Sequence, residues 1–240
     1  GGRTLALGRN LGAYVMAADL VGLQADEDLR FRTWLRTCLT ETLDGLTLRS
    51  THERRPNNWG THAGASRIAV AMYLGDATEL AHSAKVFRGW LGDRASYASF
   101  RYGDLSWQAD AARPVGINPK GAAKLGHSID GVLPDDQRRG GPFTWPPPKE
   151  NYVYEALQGA LVQAVLLERA GYADVWKWQD AALLRAYRWL YSQAAFPASG
   201  DDIWQMPIVD REYGTRYWSG SAARPGKMLG WTDWTHAPVR

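Results

Sequence analysis

The stretch that decides the fold class is residues 151–172, "NYVYEALQGALVQAVLLERAGY". Its apolar residues recur at helical spacing and predict one long helix over residues 151–170. Gly171 follows in the position that commonly ends a helix. No stretch of the sequence alternates apolar and polar residues over a length that favours a strand. The sequence therefore predicts an all-α protein.

Five further segments carry the same helical pattern. In one of them Leu35, Cys38 and Leu39 recur at helical spacing. Short connections between consecutive helices favour antiparallel pairs. The additional predicted helices cover residues 9–24, 27–44, 61–74, 78–91 and 174–193.

Two long segments interrupt the helices, residues 92–150 and 196–240. Both contain many Gly, Trp and Asp residues, and the first includes the run Pro146–Pro148. Loops of this length are uncommon in a compact domain unless they carry function or are disordered. Their Trp content argues against disorder. We therefore expect the helices to form a scaffold and these loops to form the working face.

The composition is that of an ordinary globular protein with one exception, its aromatic residues. The 240 residues include 12 Trp and 11 Tyr but only 5 Phe, which suits surfaces that stack on sugars while donating hydrogen bonds. The net charge of +3 favours an anionic partner weakly, and no run of Lys or Arg indicates nucleic acid. A single cysteine, Cys38, excludes an internal disulfide and a Cys-based metal site. No segment is apolar over the length that spans a bilayer.

We expect one domain over residues 1–240. The start, "GGRTLALGRN", is typical of a mature or trimmed chain, so it does not indicate a compartment. Only six helices are predicted, so the domain is expected to be an incomplete assembly of helical hairpins or a fragment of a longer protein.

The segment "RRPNNWGTHAG", residues 54–64, concentrates hydrogen-bonding side chains at the start of a predicted helix. A helix needs one N-cap residue, and here Asn57, Asn58 and His62 crowd a single turn. The surplus predicts a binding role for Asn58 and His62. The alternatives are that the asparagines cap the helix and that His62 is an ordinary buried histidine.

A second motif, "IDGVLPDDQRR" at residues 129–139, precedes the long helix. With Asn57-Asn58 before it and Tyr152 after it, the chain resembles the alginate lyases and related polyuronate lyases. Those enzymes carry Asn-Asn-His at a helix start, then Asp-Gly-x-Leu-Pro and an Arg, then a Tyr before an apolar helix. The resemblance covers roughly residues 55–170 and implies an (α/α) toroid.

The resemblance also implies roles for individual residues. Asn58 and Arg139 match the groups that bind and neutralise a uronate carboxylate, and Tyr152 matches the catalytic tyrosine. Trp59 stands where the family has its histidine. His62 is the nearest replacement, one helical turn beyond Asn58, and His127 is the alternate.

Further residues are candidates for binding the substrate. Arg138 precedes Arg139 and could equally be a solvated charge. Tyr154 is the fallback for the catalytic tyrosine. The segment after residue 196 adds aromatic rings, with Lys227 as a polar contact, although these rings could instead pack inward. The predicted substrate-binding set is Asn57, Trp59, Arg138, Tyr154, Trp204, Trp231, Trp234 and His236.

The chemistry of a lyase suits these residue types. β-Elimination removes a carbon-bound proton beside a carboxylate, and donors on that carboxylate stabilise the negative charge that develops. Arg can bind a carboxylate with two parallel hydrogen bonds. A tyrosine near a cation can then act as general acid or base. The expected function is β-elimination in a uronate polymer such as alginate or glucuronan, without metal or cofactor, and the resemblance implies a secreted or periplasmic enzyme.

Two other classes stay open at this point. A glycoside hydrolase needs two carboxylates across the scissile bond, which Asp135 and Asp136 with Asp201 and Asp202 could supply. A non-catalytic carbohydrate-binding domain would use only the Trp-rich surface.

Overall fold

The computed structural model describes residues 2–223 and 225–237. This part of the chain is mostly helical, which confirms the all-α prediction. Its strands are limited to one hairpin, β1 Ala123–Lys124 and β2 His127–Ser128. The helices are α1 Arg3–Val21, α2 Ala25–Thr40, α3 Leu48–Arg54, α4 Asn58–Leu74, α5 Ala77–Trp90, α6 Pro134–Gln137, α7 Tyr152–Arg169, α8 Trp178–Ser192, α9 Gln205–Tyr213 and α10 Thr232–Thr235.

All six predicted helices are present, but α1 begins at Arg3 rather than at residue 9. The added turn includes Gly8, a residue type that lowers helix propensity. Gly8 lies inside α1 because a Cβ there would come within 3.0 Å of the backbone nitrogen of Ala63 in α4. Contact between the two helices therefore overrides the local propensity.

Helices α3 and α9 were not predicted, because each is too short to show a clear apolar period. The start of α3 is fixed by a capping box. The N–H of Ser50 donates to Thr47 Oγ1 at 3.0 Å, and the N–H of Thr47 donates to Ser50 Oγ at 2.9 Å. Helix α9 occupies part of the segment 196–240 that the sequence predicts as loop.

Helices α1 and α4 lie side by side and run in the same direction. Gly8 contacts Ala63, and one turn later the N–H of Gly12 donates to Ser66 Oγ at 2.8 Å. Ser66 Oγ in turn donates to the carbonyl of Gly8 at 2.8 Å. The contacts advance together along both helices, which is the order of a parallel pair.

Helix α7 packs on α4 in the same parallel sense. A Cβ at Gly159 would lie 2.5 Å from the carbonyl carbon of Thr61, so the two backbones touch at this glycine. One turn later on both helices, a Cβ at Gly64 would lie 2.5 Å from Gln163 Oε1, while Gln163 Nε2 donates to the Thr61 carbonyl at 2.9 Å. The contacts advance from Thr61 to Gly64 as they advance from Gly159 to Gln163, which is the order of a parallel pair. Because α1, α4 and α7 are parallel, their N-terminal turns share one end of the layer. Parallel neighbours of this kind suit the inner layer of an (α/α) toroid, and closure into a toroid stays a prediction.

The segment between α5 and α7 is held against α8 by the Asp-Gly of the second motif. Asp130 Oδ1 accepts from Arg185 Nη1 at 2.6 Å. Gly131 has φ +88°, and a Cβ there would lie 2.3 Å from the Arg185 carbonyl oxygen, so a side chain is excluded. These two motif residues therefore have a structural role.

We predict that Gly159→Ala destabilises the fold. The added methyl group would meet backbone atoms of Thr61 and His62, which cannot rotate away. Overpacking of this kind typically costs about 1–3 kcal/mol of unfolding free energy. Urea unfolding measures the change, with Gly2→Ala as the control because a Cβ at Gly2 meets nothing within 4 Å. Equal stability of the two variants would contradict the close approach of α4 and α7.

Candidate functional site

Asn57 has the capping role that the sequence left open. Its side-chain oxygen accepts from the N–H of Trp59 at 3.2 Å, which caps α4. Its Nδ2 donates to Asp135 Oδ2 at 2.9 Å. Asp135 also accepts from Arg138 Nε at 2.8 Å, so Arg138 is held in an ion pair with Asp135. Asn57 and Arg138 are therefore engaged with Asp135 and the start of α4.

Asn58, the first residue of α4, has a fully buried side chain. Its N–H donates to Asp136 Oδ1 at 3.1 Å. Neither its amide nitrogen nor its amide oxygen has a hydrogen-bond partner within residues 2–223 and 225–237. Buried polar groups are nearly always paired, so this unpaired amide marks Asn58 as a candidate binding residue.

His62 lies one turn after Asn58 on α4 and is also fully buried. Neither ring nitrogen has a hydrogen-bond partner in the described part of the chain. Burial, followed by the positive charges of Arg9 and Lys227, holds the pKa of His62 well below its usual value. The imidazole is therefore neutral at pH 7 and can donate from one nitrogen.

Tyr152 and Arg139 meet at the start of α7. The Arg139 guanidinium lies over the Tyr152 ring, with its carbon 4.0 Å from the ring centre, which is a cation–π contact. The Tyr152 side chain is exposed to solvent. Arg139 follows Asp136, the residue that contacts Asn58, by three positions. The short segment from Asp136 to Arg139 therefore connects the start of α4, which Asp136 contacts, with the start of α7, which Arg139 contacts.

Glu155 of α7 also lies close to α4. This residue lies about one turn after Tyr152 on α7, and its Oε2 is 3.9 Å from His62 Nε2. Asn58, His62, Tyr152 and Arg139 therefore lie at the same end of the two parallel helices.

Three further charged side chains lie at this end of the layer, those of Arg9, Glu155 and Lys227. The sequence pattern does not identify Arg9 or Glu155 as site residues. Arg9 of α1 forms an ion pair with Glu155 Oε2, and Lys227 Nζ lies 2.9 Å from Glu155 Oε1. Lys227 Nζ also donates to Gln158 Oε1 at 3.1 Å. The available signal was the pair of polar residues, Glu155 and Gln158, within the apolar pattern of α7. No sequence signal connects Arg9 to them.

The hydrogen-bond network continues from Gln158 to Asp202, which is buried. Asp202 Oδ1 accepts from Gln158 Nε2 at 2.8 Å and from Gln205 Nε2 at 3.1 Å. Burial raises the pKa of Asp202 to about 6. Tyr187 extends the network, because its hydroxyl donates to Gln205 Oε1 at 2.7 Å.

The alternate histidine, His127, lies on the β-hairpin. Its ring stacks on Trp145, with ring centres 4.3 Å apart. The neighbouring carbonyl of Ser128 accepts from Trp189 Nε1 of α8 at 2.9 Å. The hairpin therefore packs toward α8, and His127 does not enter the function proposed below.

Two predicted binding residues lie in the core instead. Tyr154 is buried, and its hydroxyl donates to the Phe196 carbonyl at 2.6 Å. Burial raises the pKa of Tyr154 well above its ordinary value, so it stays a neutral phenol. Trp204 is fully buried, and a Cβ at Gly226 would lie 2.3 Å from its ring. Neither ring presents a face to a polymer.

The remaining aromatic candidates are divided between two places. Trp59 is half-buried next to the catalytic candidates, with the Arg55 guanidinium 5.8 Å above its ring. Trp231 and Trp234 are exposed, and their ring centres lie 6.3 Å apart. These two rings are accessible for stacking on a sugar.

His236, after α10, lies near the other end of α7. It lines a small cavity of about 170 Å³ together with Glu168 and Arg169. Burial lowers the pKa of His236, with a further contribution from Arg211. At 1.5 Å of rise per residue, Glu168 is about 24 Å from Tyr152 along the helix. His236 is thus separated from the cluster at the start of α7.

In the described ranges, no group of three or more His, Cys, Asp or Glu residues could hold a metal ion. None of the helices there combines the length and the apolar character needed to cross a bilayer.

Part of the chain matches a known protein family. Residues 5–95 match the family model described as alginate lyase. The chain is therefore alginate lyase-like, and the match supports assignment to a polysaccharide lyase family. The matched part contains Arg9, Asn58 and His62, whereas Arg139 and Tyr152 lie beyond it. No curated protein and no solved structure matches the chain.

We predict that Asp202→Asn raises stability at neutral pH. The pKa of Asp202 is about 6 in the folded chain and about 4 in an unfolded chain. The folded state therefore binds this proton more tightly, and the resulting stabilisation is complete below about pH 4 and lost as the pH rises through about 6. Asparagine carries no charge and keeps an oxygen for both glutamines, so the gain at pH 7 is up to about 3 kcal/mol.

Urea unfolding between pH 4 and pH 7 measures this effect. The control is Asp201→Asn, which removes the same charge from an exposed neighbour. An unchanged pH dependence in Asp202→Asn would contradict the raised pKa of Asp202.

Proposed function

We propose that this protein is a polysaccharide lyase that cleaves a uronate-containing polymer by β-elimination. Alginate and glucuronan are the substrates that we would test first. The proposal is supported by unpaired buried donors in the first turns of α4 and by a tyrosine with an arginine over its ring at the start of α7, two helix ends that are linked by the approach of His62 to Glu155. The alginate lyase match over residues 5–95 supports the same class of reaction. We also propose that the protein acts outside the cytoplasm, as its resemblance to alginate lyases implies.

The amide of Asn58 and the imidazole of His62 supply the donors for the uronate carboxylate. Both are buried without hydrogen-bond partners in the part of the chain that is described. Hydrogen bonds from these groups stabilise the negative charge that spreads onto the carboxylate as the adjacent carbon loses its proton. A neutral His62 is suited to this task because it donates without needing a compensating charge.

Tyr152 supplies the proton-transfer group. It is exposed at the start of α7, where a polymer can approach it. The Arg139 guanidinium lies over its ring and contacts the ring face through a cation–π interaction. As a phenolate, Tyr152 would take the proton beside the carboxylate, and as the resulting phenol it would give that proton to the leaving oxygen, so that the C–O bond breaks and a carbon–carbon double bond forms.

The glycoside hydrolase alternative is not favoured by the acidic side chains. Asp135 and Asp136 are both buried and bind Asn57, Asn58 and Arg138. Asp202 is buried among glutamines. A hydrolase needs two carboxylates facing the scissile bond, and these residues are committed to holding the fold.

We predict that Tyr152→Phe abolishes turnover and leaves polymer binding nearly unchanged, because only the hydroxyl is lost. The assay is the ultraviolet absorbance of the unsaturated product formed from alginate and glucuronan. Tyr172→Phe is the matched control, since it removes a tyrosine hydroxyl beyond the C-terminal end of α7. Normal turnover by Tyr152→Phe would refute the role of this tyrosine. Reducing ends without unsaturated product would indicate a hydrolase.

We predict that Arg139→Ala weakens both turnover and binding. The guanidinium contacts Tyr152 and is proposed to attract the carboxylate in the ground state, so its loss should raise KM and lower kcat. Steady-state kinetics on the same polymers measure both constants. Arg139→Lys keeps the charge without the planar fork and should recover part of the loss. A kcat and KM unchanged in Arg139→Ala would exclude Arg139 from the site.

A further inference from the structure

Two cations share one carboxylate beside the proposed site. Arg9 and Lys227 both contact Glu155, and His62 next to them is neutral. These contacting groups therefore carry one surplus positive charge. Asp202, a further carboxyl in the network with a pKa of about 6, offsets this charge at pH 7 but accepts its hydrogen bonds from glutamines rather than from either cation. The two cations share only Glu155 as a direct carboxylate partner, which leaves them able to bind an anionic ligand.

Arg9 has an unused donor at this point. Its Nε is buried and has no hydrogen-bond partner among the residues described, although its terminal nitrogen binds Glu155. Asn58 and His62 are unpaired in the same way. The cluster therefore joins unsatisfied donors from α1 and α4, and a ligand with acceptor oxygens would satisfy them.

The two cations also form the accessible edge of this cluster. The side chains of Arg9 and Lys227 are 27% and 26% exposed, whereas Asn58 and His62 are fully buried. A polymer that approaches from solvent therefore meets the cations before it meets the buried donors.

The segment that carries Lys227 is seated against three helices. Gly226 packs on the ring of Trp204, and the sulfur of Met228 lies 2.6 Å from where a Cβ at Gly12 would be. Lys227 lies between these two contacts and reaches Glu155 and Gln158 of α7. The packing of its neighbours therefore holds the ammonium group at the cluster.

We propose that Arg9 and Lys227 are substrate-binding residues that take a carboxylate of the polymer, and that Glu155 is a positioning residue that holds both cations before the substrate arrives. The inference rests on the proposed function for the identity of the polymer. It makes the free carboxylate a requirement for tight binding, because a methyl ester cannot accept two charge-assisted hydrogen bonds of this strength.

The test measures binding in the Tyr152→Phe background, where the polymer is not consumed. Calorimetry compares alginate and glucuronan oligomers with their methyl esters. Lys227→Gln should lower the affinity for the free acid by about tenfold or more and leave the affinity for the ester unchanged. Lys227→Arg should keep most of the affinity. Lys120→Gln is the matched control, because Lys120 pairs with Asp180 in the cleft beside α8.

Each result decides the inference. If Lys227→Gln has the parent's melting temperature and binds the free acid as tightly as the parent, the inference is overturned. An equal loss of affinity for acid and ester would also overturn it, since a general disturbance of the site would then be the cause. If Lys227→Gln loses acid binding in the Tyr152→Phe background but the unmodified protein forms no unsaturated product from either polymer, the lyase proposal is refuted and the carboxylate site is supported. If the parent binds neither oligomer, both proposals fail.

Discussion

The close approach of α4 and α7 at Gly159 is the contact on which the arrangement of the site depends. Because the two backbones touch there and the helices run in the same direction, their first turns lie together. His62 then lies beside Glu155, about one turn after Tyr152 on α7. A larger residue at position 159 would separate the helices, and the donors on α4 would lose their position relative to the phenol.

Much of the fold could be predicted from the sequence, because the apolar residues of a long helix recur at a regular spacing. The six main helices follow from the local apolar pattern. Arg139 is identified as a candidate through the motif at residues 129–139. The capping role of Asn57 could also be anticipated, since a helix start needs one such residue. Short helices such as α3 and α9 lack the length for a period, so they were missed.

The charged cluster could not be predicted, since it depends on which helices become neighbours. Arg9 reads as an ordinary solvated charge of α1, and only the parallel packing of α1 with α4 brings it to Glu155. Likewise, nothing local distinguishes His127 from His62 as the histidine of the site. The tertiary contacts separate them, because one ring stacks on Trp145 while the other is buried beside Glu155. A buried polar group without a partner typically costs about 1–3 kcal/mol, so a ligand that paired with Asn58 and His62 would offset that cost.

The two aspartates of the second motif give the loop between α5 and α7 a fixed attachment point. Asp135 and Asp136 bind the first residues of α4 directly, so Arg139 is delivered by that attachment rather than by the course of the loop before it. The preceding stretch, residues 93–128, is fastened to the same pair, because the N–H of Gly103 donates to Asp135 Oδ1 at 3.0 Å. A change in that stretch would therefore have to keep the Gly103 contact and the fully buried Trp107 if the guanidinium is to stay in place.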